Sequence, residues 1–406
     1  MPTTERMPPT RRSLLRASAV AGTASLAGCV GDSPLADSPL ADPIPPDPDT
    51  WPLANYDPQQ TAANRGASPP TDPTVETFDS TEDASTVVVG GEGDERRVVV
   101  GGYDRLTAHR PDGSVAWRAG DADEVAIRPG SDICYATGGN APFRALSLAD
   151  GSRQWTTEAP NGFAVVPSTR GPFLPFNGGV DAYDREGTRR YRVARGDGLG
   201  YAGVALADTV YVTDVGMAER LRPRGAIRAF RERPPAAEWR VEQSLGYSHT
   251  VAVADGTVFV TDERTDGTGG VLALDAATGG VEWRRDLGQR PDGLAVGPDR
   301  LYLAVSIDRE TEANLLFALR RDDGATDWTA AEYGPESGYY ADPVVAGDSV
   351  LVGGKQVDRR AGFLQSFTLA GDEQWTVEFE TAVRAVAPVA DRLYVATDDG
   401  QLAILS

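Results

Sequence analysis

The chain has 406 residues and a formal net charge of −21, and Lys355 is its only lysine, so nearly all of its positive charge is arginine. A surface this acidic repels a phosphate backbone and excludes nucleic acid as a partner. Acid excess almost without lysine reads as adaptation to high salt, where carboxylates keep the surface hydrated and dissolved ions screen their mutual repulsion.

At the N-terminus, Thr10-Arg11-Arg12-Ser13-Leu14-Leu15 resembles a twin-arginine export signal, and the apolar run behind it, 17–27, is too short to span a bilayer. The run ends in Leu26-Ala27-Gly28-Cys29, which resembles a lipobox. Residues 1–28 are then a cleaved signal, Cys29 is the lipid attachment site, and Arg11 and Arg12 direct export. Lipidation of Cys29 leaves Cys134 without an intramolecular partner, and its place in the apolar segment 133–136 makes it a small buried hydrophobe.

Residues 29–50 follow, and 32–49 consist almost wholly of Ser, Pro, Leu, Ala, Ile and Asp. That composition forms no core and predicts an extended tether. No later segment is apolar for the ~18 residues that a membrane-crossing helix needs.

The remainder, 51–406, is repetitive. Its best-formed copy runs through Ala273-Leu274-Asp275-Ala276-Ala277-Thr278-Gly279-Gly280-Val281-Glu282-Trp283. An apolar strand meets a tight turn in which Gly279 takes positive φ, and a second strand then carries a tryptophan. The glycine four residues before an aromatic recurs at Gly113/Trp117, Gly151/Trp155, Gly187/Tyr191, Gly324/Trp328 and Gly371/Trp375, while Trp239 has Pro235 in the glycine's place. Successive aromatics lie 36 to 48 residues apart, which predicts an all-β propeller with blades of four antiparallel strands. Repeat five shows all four strands at 250–254, 258–261, 271–275 and 281–284.

Residues 383–405 supply only three strands of a last unit, and the alternating segment 74–78 is suited to provide the fourth. Eight blades closed by the N-terminal strand are therefore expected, because closure removes exposed sheet edges. Seven blades with a dangling hairpin are the alternative.

The stretch from Ala273 to Trp283 resembles the tryptophan-docking motif A-x-D-x-x-T-G-x-x-x-W of the pyrroloquinoline quinone (PQQ) repeat propellers, here in a haloarchaeal-type lipoprotein form. Trp51-Pro52 with Asp57 and Thr61 resembles the opening segment of that family. The resemblance implies the propeller fold and two classes of function, quinoprotein dehydrogenase or outer-membrane assembly lipoprotein. In the dehydrogenases it implies PQQ with a calcium ion, a catalytic aspartate and often adjacent cysteines. No Cys-Cys pair occurs in the chain, and no segment matches the calcium or base motifs, so no catalytic, cofactor or metal residue is assigned.

Trp117, Trp155, Trp239, Trp283, Trp328 and Trp375, one per repeat, are read as packing between blades, and Trp51 as cover for a blade edge. His109 aligns with the turn position of Asp275 and is read as structural. The loops entering each repeat contribute a candidate binding rim: Tyr201, Tyr247, His249, Arg290, Asp292, Tyr339, Tyr340, Asp342 and Arg384. Loops between the second and third strands are long only in repeats four to seven, at 215–225, 263–270, 308–313 and 355–362, and carry Glu219, Arg220, Arg222, Arg224, Arg264, Glu310, Glu312, Lys355, Arg359 and Arg360, a local concentration of positive charge on an acidic protein. Insertions on one face of a repeat array mark a binding face. The sequence thus points to a monomeric, lipid-anchored scaffold on the extracellular face of the cell membrane, binding an unidentified protein and no cofactor. The alternative is a PQQ-dependent oxidoreductase.

Overall fold

The computed structural model describes residues 42–406 apart from 139–140, 161, 177–178, 195–201, 217–223, 232–236, 244–249, 264–267, 289, 307–314, 332–336, 340 and 357–360. Cys29, Arg11 and Arg12 lie outside the described residues.

Eight antiparallel sheets form the blades of a propeller. Blade 5 is representative, with strands Val251–Ala254, Thr257–Glu263, Gly269–Asp275 and Val281–Asp286 paired in chain order. Burial falls from the axis outward. In the outermost strand of that blade only Trp283 is buried, whereas the innermost strand of blade 1, Ala84–Gly90, is buried along nearly its whole length. Its Val87-Val88-Val89 run is the uninterrupted apolar pattern of a strand covered on both faces.

Three blades depart from the plan. In blade 1, Arg97–His109 serves as both second and third strand, its first half pairing with Ala84–Gly90 and its second with Val115–Ala122. Blade 3 has only isolated bridges, Gly162 to Phe176 and Val166 to Phe173, at the innermost position. Blade 7 gains Ser337–Tyr339, which pairs with residues 354–356, and Ala63–Asn64, which runs parallel to Val345 and Ala346 on the inner edge. The eighth blade takes its outer strand from the N-terminal side, where Val75–Asp79 runs antiparallel to Gln401–Leu405. Eight blades, not seven, close the ring.

Each outer-strand tryptophan donates its indole N–H to a carbonyl in the next blade's outer turn: Trp117 to Leu148 at 2.8 Å, Trp155 to Arg185 at 2.7 Å, Trp239 to Ala276 at 3.0 Å, Trp283 to Arg321 at 2.8 Å and Trp328 to Leu369 at 3.1 Å. Trp375 reaches Pro70 O at 2.9 Å, on the segment that leads into the closing strand. The turn glycine makes room for the ring. Gly279 has φ +73°, and a Cβ on it would sit 2.7 Å from the Trp239 indole. Between blades 8 and 1, Phe78 takes the tryptophan's place, since a Cβ on Gly113 would lie 2.4 Å from its ring. The glycine and the aromatic of a repeat therefore serve two different seams.

His109 is fully buried where that closing seam meets blade 1, with Nδ1 2.8 Å from Gly113 O and Nε2 3.0 Å from Ser80 Oγ. A carbonyl only accepts, so Nδ1 carries the proton and Nε2 accepts from the serine. Burial holds the imidazole below its ordinary pKa.

Within the segment 29–50, expected to be a tether, the described residues from Asp42 onward contact the propeller. Thr169 donates its N–H to Asp42 O at 3.0 Å, Pro43 bridges to Ser168, and Asn64 Nδ2 donates to Pro48 O at 2.7 Å. Proline has no N–H to satisfy, so this arm lies along the propeller simply by offering carbonyls to its donors.

Candidate functional site

Inner strands present an unpaired edge to the channel axis, and main-chain N–H groups there need acceptors. At one mouth the segment 51–68 supplies them in sequence. Trp51 exchanges N–H···O bonds of 2.8 and 2.7 Å with Val89 of blade 1, and Ile127 of blade 2 donates to Pro52 O at 2.7 Å. Leu206, Val253, Val296 and Val345 of blades 4 to 7 then donate to Pro58, Gln59, Thr61 and Ala62 at 2.7, 3.0, 2.8 and 2.9 Å. Ser68 finally donates to Ala390 O of blade 8 at 2.6 Å. Trp51 thus covers the inner edge of blade 1, is wholly buried, and packs on Tyr56 with ring centroids 5.1 Å apart.

The tight course of this girdle places Tyr56, Gln60 and Ala62 at φ 69°, 62° and 51°, left-handed values that cost roughly 1–2 kcal/mol per non-glycine residue. Asp57 helps to fix it by accepting from the Thr61 N–H at 2.9 Å and from the Thr61 hydroxyl. Burial pushes the Asp57 carboxyl up to about 6 even though those hydrogen bonds favour the anion.

Above the girdle lies an axial cavity of about 260 Å³. Ala54, Asn55 and Gln60 of the girdle line it together with residues at the starting ends of inner strands, among them Ser85, Thr86, Glu124, Thr250, Asp342 and Arg384. Glu124 opens the inner strand of blade 2, Glu124–Ile127, and its carboxyl is pushed up to about 8 by burial first and then by Asp123 and Asp342. Arg384 Nε donates to Asp398 at 2.7 Å.

Of the expected rim, the structure brings Asp342 and Arg384 together in this cavity. Tyr201, Tyr247, His249 and Tyr340 lie outside the described residues. Arg290, Asp292, Tyr339 and Arg384 fall not in loops but on strands, Arg290–Val296, Ser337–Tyr339 and Val383–Val389. Strand pairing there begins before the apolar pattern does, through register shifts between Pro291 and Gly293 and between Val383 and Ala385. Glu124 was not anticipated. It occupies the same station as Asp342 and Arg384, the start of an inner strand, and comparing that station across repeats would have found it.

PQQ is an aromatic tricarboxylate, and the described lining residues do not fit it. Arg384 is the one basic side chain among the described lining residues, and it is already paired with Asp398. Asp342 would oppose the quinone's carboxylates. Among the described residues, no group of three or more His, Cys, Asp or Glu side chains is placed to hold a metal ion.

Residues 223–362 match the family model of the outer membrane protein assembly factor BamB. A comparison with curated proteins finds no match. Among solved structures, BamB from Moraxella catarrhalis is 17% identical with a TM-score of 0.60, over 82% of this chain and 98% of that one. The quinohemoprotein alcohol dehydrogenase of Comamonas testosteroni is 12% identical at a TM-score of 0.63, over 88% of this chain and 80% of its own. A europium-containing methanol dehydrogenase is 12% identical at 0.64, over 86% and 90%. The fold is that of the PQQ-repeat β-propellers, which serves an assembly factor and dehydrogenases alike, so function has to be argued from the site.

Proposed function

We propose that the chain is a non-catalytic binding or assembly scaffold held on the outer side of a membrane by lipid on Cys29, and that it presents the propeller face bearing its long loops. One observation carries this reading: the two channel mouths differ. One is sealed by the girdle 51–68. On the opposite face, the second and third strands of blades 4 to 7 are joined through 217–223, 264–268, 307–314 and 357–360, against 139–140, 177–178 and 398–400 in blades 2, 3 and 8. Similarity to BamB supports an assembly role and an extracytoplasmic location. The arm from Asp42 meets the propeller at the sealed face, on the side away from the long loops.

The dehydrogenase neighbours favour PQQ-dependent oxidation as the second reading, and the acidic, acceptor-lined cavity weighs against it. Crosslinking in cells tests the first reading. Trimming 217–223 and 357–360 to short turns should remove partners captured by the wild type, and Cys29→Ser should release the protein from the membrane fraction. Dye-linked oxidation of alcohols or sugars on adding PQQ and calcium would overturn the scaffold assignment.

A further inference from the structure

On the wall of the axial cavity, Thr86 and Asn55 each keep a polar atom available to a ligand. Thr86 is 3% exposed, yet its Oγ1 has no partner; a Cβ on Gly101 would lie 2.8 Å from its Cγ2, so its methyl is the group turned to the neighbouring strand. Asn55 spends Nδ2 on Gln60 Oε1 at 3.1 Å, which leaves Oδ1 as an acceptor. Glu124, half-buried on the wall, shares the cavity with Asp342, and Asp123 precedes it in the chain. Arg384, the one described basic group on the wall, is engaged by Asp398. The wall is therefore short of positive charge.

A ligand that suits it supplies that charge. An anion would meet the Asp342 carboxylate and find Arg384 already engaged, and a multivalent metal would find no cluster of three carboxylate, imidazole or thiol ligands among the described residues. A cavity of about 260 Å³ is on the scale of a small-molecule site. We propose that the axial cavity binds a small organic cation carrying a protonated amino group, with Glu124 as its anionic anchor and Thr86 and Asn55 as further acceptors. Charge-assisted N–H···O bonds to Glu124 and Asn55 and a bond to the unpartnered Thr86 hydroxyl would hold it. The site does not depend on the scaffold reading and lies on the axis rather than on the loops.

Glu124 gives this binding a signature. Its carboxyl is held protonated near neutral pH by burial and by Asp123 and Asp342, and a bound ammonium would favour the ionised form. Amine uptake at pH 7 should then release a proton from Glu124 to the buffer.

Calorimetry on the full chain in high salt tests this with methylamine, putrescine, potassium chloride, and PQQ with calcium as probes. Putrescine should bind at one site, releasing close to one proton as read from buffers of different ionisation enthalpy. Glu124→Gln should weaken binding about tenfold or more and abolish the release, as expected when a charge-assisted contact is lost. Thr86→Val should weaken it several-fold and keep the release. If Glu124→Gln fails to fold, the proton count of the wild type and Thr86→Val still decide. Amine binding without proton release, equal affinity in Glu124→Gln, equal competition by potassium, tighter binding of PQQ, or no heat with either amine would each overturn the assignment.

Discussion

The two mouths of the channel solve the same physical problem in different ways. At the sealed mouth the inner strands of seven blades exchange main-chain hydrogen bonds with one segment, 51–68. Backbone does this job, so the sequence is constrained there only where geometry demands it: Trp51 filling the space under blade 1, Asp57 and Thr61 pinning the turn, and Tyr56, Gln60 and Ala62 accepting left-handed conformations. At the other mouth the described strand ends offer polar side chains instead, with Glu124, Asp342 and Arg384 around a cavity. A propeller can thus be closed by backbone on one side while the other side stays free to vary.

The largest effect should come from breaking the seal. Trp51→Ala removes a side chain that is 0% exposed and leaves a cavity, a change that costs about 3–5 kcal/mol. Trp283→Ala, at one seam between two blades, should lower stability by about 3 kcal/mol and no more than Trp51→Ala does. Thermal melting of both variants in high salt compares the two positions. A larger loss for Trp283 would mean that the blades, not the girdle, govern closure.

The open side should reveal itself through pH. Glu124 has a folded pKa raised from 4.5 to about 8, so its burial costs nothing while both states are protonated and costs progressively more as pH rises from about 4.5 to 8. Glu124→Gln should leave stability at acid pH nearly unchanged and raise it at pH 8 by an amount on the order of a few kcal/mol. His109 has the opposite sign. Its pKa is lowered in the fold, so its contribution is complete above the ordinary imidazole range and is lost as pH falls through and below it. Denaturant titrations across pH 4 to 9 separate the two, and a wild-type profile identical to that of Glu124→Gln would show that Glu124 ionises as freely in the fold as in the unfolded chain.

Most of the fold could be read from the sequence because it repeats. The glycine–aromatic spacing exposes the outer turn, and the three-strand remainder at 383–405 with the alternating segment 74–78 implies the closing pair. The partner of each tryptophan could not be read, because Trp239 docks on a turn 37 residues away in the next blade and nothing local encodes that distance. The girdle was hidden for a similar reason. Its contacts are main-chain carbonyls and N–H groups, which carry no side-chain signature, and its left-handed positions are held by Tyr56, Gln60 and Ala62 rather than by the glycines that would have announced them. Asp342 and Arg384 were legible as repeat-entry charges, whereas Glu124 passed unnoticed beside Asp123 in what reads as ordinary acidic surface.

The smallest stability effect should belong to the long loops, and its smallness is what would sharpen the contrast between the mouths. The strands that flank 217–223 are already paired up to Gly216 and Arg224, and those that flank 357–360 up to Gln356 and Ala361. Blade 3 joins Phe176 to Gly179, directly paired, through only 177–178. Replacing either long loop with a two-residue turn therefore removes no inter-strand pair, and its closure entropy changes only slowly with length. Stability should stay within about 0.5 kcal/mol of the wild type, the range of surface changes that touch no buried feature. Melting curves of the two trimmed chains measure this directly. A loss comparable to that of Trp283→Ala would mean that the loops are part of the core, and the division between a mouth fixed by backbone and a mouth free to vary would have to be abandoned.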